Sequence, residues 1–315
     1  MSARQRRRIN QRTRKKLSIT FSLFHNKKVF IALVVSLCIG IVSLSVFAIG
    51  NKKFWDGTNK LAVAVHDTDG VSVLLFDPQY EEVVRIHIPV HTEVDVAYGL
   101  GIWKIETLWQ LGKQQGLEGK ILADTMTKYF RFPTAAWADT GAIGLSSGGL
   151  FDLYKSVFGI YASNLSLGDR VAIAWFSFNI PNAKHVDIDL SKTGYLTETT
   201  LSDGTKGYVK VEPAPAKILS LFADPQFSKT SHAIAIEDAT GQGKVAKNVG
   251  QVVEVLGAKV ASITDHDEED TDCIVTGKSA VLVARVISLF SCQKGSSDTN
   301  FDVEILLGSQ FAKRF

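Results

Sequence analysis

Hydrophobic and polar positions change their pattern several times along the chain. Residues 29–50, VFIALVVSLCIGIVSLSVFAIG, are an unbroken apolar block of twenty-two residues without a charge. At about 1.5 Å of rise per residue a helix of that length reaches roughly 33 Å, enough to cross a bilayer's hydrocarbon core. The block is longer than the apolar centre of a signal peptide, and the AIGNKK that ends it is a poor cleavage site, so the pattern predicts an uncleaved transmembrane helix. After a spacer at 51–58 come three short β-rich runs, 61–65, 71–76 and 83–88, parted by the turn-forming HDTDG and DPQYEE. Such short connections predict antiparallel strands of one sheet.

A strand-like 93–97 and the glycines of YGLG precede a change of period. Segment 103–115 places Ile105, Leu108, Trp109 and Leu111 on one helical face, and 119–130 does the same with Ile121, Leu122, Thr125 and Tyr129. Segment 147–160 reads as a helix with Leu150, Leu153, Tyr154 and Phe158 on one side, and 167–180 as a second, capped by Ser166. Both are expected in a core. Runs 188–192 and 195–211 suggest strands, with a turn at Ser202-Asp203-Gly204, and 216–222 a short helix after Pro213 and Pro215.

From 232 onward strands and helices alternate: strand 232–236, helix 243–256 with Val245, Val249, Val252, Val253 and Leu256 inward, strands 259–263 and 273–275, helix 279–289 and strand 301–307. That order predicts a small α/β domain. Removing arm and anchor leaves about 265 of 315 residues, more than one core usually organises. The chain therefore divides into a basic arm (1–28), a transmembrane helix (29–50), the spacer, a domain at 59–222 and a smaller one at 229–315, the break falling in FADPQFSK. The fold class is α/β in both domains.

Charge sets the orientation. Ten Lys or Arg and no acid precede the apolar block, whereas only Lys52 and Lys53 follow closely, so the positive-inside rule leaves the N-terminus cytoplasmic and the bulk of the chain extracytoplasmic, on a single-pass anchor in the cell membrane. Without the arm's ten, 25 basic residues face 32 acidic ones. The outer part thus has no general attraction to polyanions, and the arm lacks the interleaved aromatics of a nucleic-acid reader, so no nucleic-acid partner is expected.

Ordinary catalytic signatures are missing: there is no GxSxG, HExxH or CxxC. The acidic DHDEEDTD at 265–272 lacks the glycine and spacing of an EF-hand loop and reads as a solvated connection. ATGQGK has Asp238 where a phosphate loop needs glycine, and reads as a turn into a helix. His66, His87 and His91 sit where one end of the sheet gathers them, but without Cys or carboxylate ligands at fixed spacing they make a weak zinc site. Cys38 falls in the apolar block as a small apolar residue, whereas Cys273 in a strand and Cys292 just after the following helix lie in a compartment where disulfides persist. A strand and the next helix pack side by side, so a Cys273–Cys292 bond is predicted.

The ending FDVEILLGSQF, preceded by HAIAIEDATGQGKVAKNVGQVVEVLGAKV, resembles the C-terminal domain of LytR-type envelope proteins over 231–315. Residues 60–141 resemble a diverged LytR-CpsA-Psr (LCP) domain: a strand, an Asp-bearing loop, a strand ending in an Asp-Pro turn, and a strand running into IPVHTEV. The resemblance implies an enzyme that moves a glycopolymer from a polyprenyl pyrophosphate lipid to peptidoglycan, with arginines on the pyrophosphate and aspartates on a divalent metal. Guanidinium groups suit that task because they bind phosphate oxygens in pairs. Against the family's SIPRDTYV, however, Val90 replaces the arginine and His91 the aspartate. Asp67 or Asp69 matches one loop aspartate, with no arginine beside either, and Arg170 stands alone where the family has an arginine-rich run.

Losing one preorganised charge-stabilising group costs an enzyme about 10²–10³ in rate. The resemblance with these departures therefore implies a non-catalytic binding or scaffold protein of the cell envelope, needing no cofactor, whose partners are the membrane and polyprenyl-linked glycan or peptidoglycan. The alternative is a working glycopolymer transferase, with Mg²⁺ on Asp67 or Asp69 and with Arg85 or Arg131 in place of the lost arginine.

Overall fold

The computed structural model describes residues 54–228, 232–296 and 299–315. The basic arm, the expected transmembrane helix and Cys38 lie outside the described residues. Among the described residues no helix is long and apolar enough to cross a membrane.

The chain is a mixed α/β structure built on two five-stranded sheets. In order it runs β1 (Leu61–Asp67), β2 (Gly70–Asp77), β3 (Glu82–Pro89), β4 (Glu93–Val96), β5 (Gly101–Lys104), α1 (Leu108–Gln114), α2 (Lys120–Phe130), β6 (Ala136–Ala138), α3 (Leu150–Phe158), α4 (Leu167–Asn179), β7 (His185–Asp189), β8 (Leu196–Thr200) and β9 (Lys206–Lys210). After two short helical turns follow β10 (Ala233–Ala239), α5 (Val245–Val255), β11 (Lys259–Asp265), β12 (Cys273–Thr276), α6 (Ala280–Phe290), β13 (Gln293–Lys294), β14 (Val303–Gly308) and α7 (Ser309–Arg314).

The first sheet has the order β6-β1-β2-β3-β7. Its three middle strands are the antiparallel meander expected from the three β-rich runs, while β6 and β7 add in parallel at the edges. Ala62, Ala64, Val73 and Ile86 pack on one side with residues of α1 and α2; Leu61, Val63, Leu74 and Phe76 pack on the other with residues of α3 and α4. A sheet covered on both faces explains why β2 reads as a continuous apolar run and is buried at every position. Gly70 opens β2 at φ 136°, where an added Cβ would meet the Ile88 carbonyl oxygen at 2.1 Å, so this turn admits only glycine.

Three expectations fail here for identifiable reasons. The helix expected at 103–115 starts only at Leu108, because residues 101–104 pair with β4 and the Ile105 N–H is taken by the Thr92 carbonyl at 2.9 Å. The strand expected at 188–192 is β7, shifted to begin at His185, and 190–192 form a helical turn that Asp189 caps by accepting from the Ser191 N–H. On α3 only part of the expected face turns inward: Leu153 is buried, with Val157 beside it, whereas Leu150, Tyr154 and Phe158 are exposed.

The second sheet, β11-β10-β14-β12-β13, packs against α5 and α6 around a separate core. Val245, Val249, Val252, Val253 and Leu256 face inward as the spacing required. Cys273 at the start of β12 and Cys292 after α6 form a disulfide with their Cα atoms 4.9 Å apart.

The parts meet at Lys60. Its ammonium is buried against Asp77 at 2.7 Å and donates to the Leu221 carbonyl at 2.8 Å, and its own carbonyl accepts from Arg285 of α6. The described chain enters on α4: the N–H groups of Phe54 and Trp55 donate to one carboxylate oxygen of Asp169, at 3.0 and 3.1 Å. The other oxygen accepts from the Ser166 N–H and hydroxyl, completing the capping box of α4.

Candidate functional site

Strand alternation places Asp67 on the same face of the first sheet as Leu61, Val63 and Val65, where it is buried. The register sets Ser72 opposite Val65 and opposite His87, and Arg85 opposite Leu74, so polar side chains gather at one end of that face. Ser72 Oγ donates to Asp67 Oδ2 at 2.8 Å, and Arg85 Nη2 donates to the same oxygen at 2.5 Å. Arg85 Nε donates to Ser72 Oγ at 3.1 Å, closing a three-membered ring of contacts, while the Thr68 N–H holds Asp67 Oδ1 at 2.8 Å. His87 Nδ1 stands 3.9 Å from Asp67 Oδ2.

Burial opposes ionisation of Asp67, but the hydrogen bonds from Ser72 and Arg85 and the guanidinium charge outweigh it and hold the carboxyl below its ordinary value. The carboxylate is thus fully ionised near neutrality and fixes the guanidinium. Arg85 remains 31 % exposed along its side chain, and two of its five N–H groups are engaged by Ser72 and Asp67. The rest are available to a phosphate or carboxylate from outside. Asp187 and Asp189 of β7 lie opposite Arg85 and His87 in the register, so carboxylates flank this arginine on the neighbouring strand.

Of the residues singled out in the sequence, the structure gathers Asp67, Arg85 and His87 on one sheet face and joins Asp69 to Val90 through the backbone. Asp67 and Arg85 meet; Asp69 lies in the β1–β2 turn, where its carbonyl accepts from the Val90 N–H at 3.2 Å. His91 takes φ 60° and is held by Glu106, which accepts from its N–H at 2.6 Å and lies 2.8 Å from its Nδ1. Arg131 closes α2 in a left-handed conformation and pairs with Glu212 at 3.3 Å, which Lys210 also reaches at 2.7 Å. His66 belongs to the opposite sheet face, stacked on Trp109 and 3.1 Å from Asp139. The three histidines therefore part company, each to its own carboxylate. Ser72 was missed; its place in the pattern VSVLLF, two residues before Leu74 and on the same face, was the available signal.

Mg²⁺ is usually held by one or two carboxylates together with waters and substrate phosphates, and the ligating carboxylates themselves accept hydrogen bonds. Both oxygens of Asp67 accept from protein donors, and among the described residues no group of three His, Cys, Asp or Glu is assembled for a metal.

No family model matches the chain. No curated protein matches it either. Among solved structures, TagV of B. subtilis aligns at 11 % identity over 65 % of this chain and 100 % of its own, with a TM-score of 0.37. TagT of B. subtilis aligns at 13 % identity over 51 % and 89 %, with a TM-score of 0.35. TagT bound to LIIa-WTA aligns at 12 % identity over 51 % and 89 %, with a TM-score of 0.34. Likenesses this distant carry no argument about the chain.

Proposed function

We propose that this is a single-pass, membrane-anchored protein of the cell envelope, of the LytR-CpsA-Psr type, with its N-terminus cytoplasmic and two extracytoplasmic domains at 59–222 and 229–315. It binds a polyprenyl-linked glycan or peptidoglycan and does not transfer it. The reading is supported above all by the ring of Asp67, Ser72 and Arg85, which fixes one guanidinium, the kind of group that grips a phosphate, where the resemblance would call for several. The positions that resemble the family's arginine and aspartate have other uses: the Val90 N–H closes a turn, and His91 is tied to Glu106. A transferase reading draws on the meeting of Asp67 with Arg85, two of its candidate residues.

One experiment separates them. The full chain in detergent is incubated with a polyprenyl-pyrophosphate glycan, Mg²⁺ and peptidoglycan, beside Asp67→Ala, Asp69→Ala and Arg85→Met. Binding without turnover, weakened about tenfold or more in Arg85→Met, is the expected result, since a lost charge-assisted phosphate contact costs about 1.5–3 kcal/mol. Transfer that vanishes in Asp67→Ala overturns the binding reading in favour of the transferase.

A further inference from the structure

The helices α3 and α4 pack on each other and on the first sheet, yet each also carries large apolar groups on its outer side. On α3 these are Leu150, Phe151, Tyr154 and Phe158; on α4 they are Trp175 and Phe178. Leu150 and Phe151 are each 69 % exposed and Trp175 is 70 % exposed, while Leu153, Val157, Ile173 and Ala174 of the same helices already fill the core. The core therefore does not need the outer groups. Clustered apolar surface of this kind marks an interaction face.

What covers it follows from where the chain comes in. Phe54 and Trp55 bond to Asp169 in the first turn of α4, and the Trp55 ring meets Phe176 edge-on at 5.2 Å, so the described chain begins on α4 itself. Residue 50, the last of the apolar block, precedes Phe54 by four residues, which span at most about 14 Å. Trp175 lies six residues along α4 from Asp169, about 9 Å. A bilayer crossed by 29–50 is therefore joined to this helix by a short linker. The composition also suits its interfacial layer: Tyr154 and Trp175 are of the kinds that settle at headgroup level, and Lys155, its ammonium 4.1 Å from the Phe151 ring centroid, stands ready to reach lipid phosphates.

We propose that the outer face of α3 and α4 lies against the bilayer that anchors the chain, its aromatic groups in the headgroup and acyl boundary. The inference rests on the reading of 29–50 as a membrane span. It adds an orientation: the helices that touch lipid cover the same sheet face whose open end holds Asp67, Ser72 and Arg85, so the site is held close to the membrane surface where a lipid-linked phosphate resides.

The test uses the full chain reconstituted in phosphatidylcholine–phosphatidylglycerol nanodiscs containing a diazirine phospholipid, with adducts located by peptide mapping after illumination. Adducts are expected in 29–50 and in peptides covering 150–160 and 171–179. The variant Phe151→Ser/Tyr154→Ser/Trp175→Ser, altered only at exposed positions, should lower the helix adducts about fivefold or more and leave those in 29–50 unchanged. Adducts in 29–50 with none on the helices overturn the inference and leave the anchor standing. No adducts in 29–50 overturns both. Cross-links from the helices to a second copy, in place of lipid, assign the face to self-association and overturn the inference.

Discussion

Reduction of Cys273–Cys292 should loosen one sheet and spare the other. The bond joins residues 19 apart, from the first residue of β12 to the end of α6. A closed loop of that size restricts the unfolded chain by about 3 kcal/mol in the chain-entropy treatment. Cys273 and Cys292 are both buried in the second core, so the reduced thiols keep their packing and the loss falls mainly on the unfolded-state constraint. At about 1.4 kcal/mol per tenfold, the opening equilibrium of the second sheet should rise roughly two orders of magnitude. Hydrogen exchange of the intact chain, oxidised and then fully reduced as checked by mass, reads this directly. Amides of β10 and β14 should exchange about a hundredfold faster while those of β1, β2 and β3, which lie in the other cores, hold their rates. Unchanged β10 and β14, or an equal acceleration in all five strands, would refute the reasoning.

Two further predictions concern buried charge. Lys60→Met should cost about 3–5 kcal/mol in urea unfolding because it strands Asp77, and Lys60→Met/Asp77→Asn should recover a large part, since Asn keeps an acceptor for the Gln79 and Tyr80 N–H groups. Asp67 has a depressed folded value, so its contribution to stability is present above the ordinary carboxylate range and is lost as pH falls through the folded value. The stability gap between the native chain and Asp67→Asn should therefore be widest near neutrality and close in acid; a gap independent of pH would reject the role given to that carboxylate.

Local grammar carried much of the fold. The meander β1–β2–β3 was legible because turn residues bracket each run, and α5 because its valines keep helical spacing. Failures came where tertiary pairing decides. Residues 103 and 104 were read into the helix that follows, but they lie beside β4 and pair with it, which satisfies their backbone groups across strands instead. β6, three residues of AWA, is too short to announce itself and exists because β1 offers it a parallel edge. For α3 the periodicity was real but ambiguous, since a helix with two apolar sides does not say which is the core. At the candidate site, the Asp67–Arg85 contact depends on register across β2, which no local pattern encodes; Ser72, the residue that joins them, was hidden inside an apolar run.

The Asp169 carboxylate has a mechanical consequence. A pull arriving along the backbone at Phe54 is received first by the two N–H bonds to Asp169 and the edge contact of Trp55 with Phe176, and so is passed into the axis of α4. β1 begins only at Leu61 and is flanked on both edges by β6 and β2, so the load reaches the sheet after the helix cap has already taken it. The load thus meets the cap of α4, a clasp of a few hydrogen bonds, before it meets the sheet.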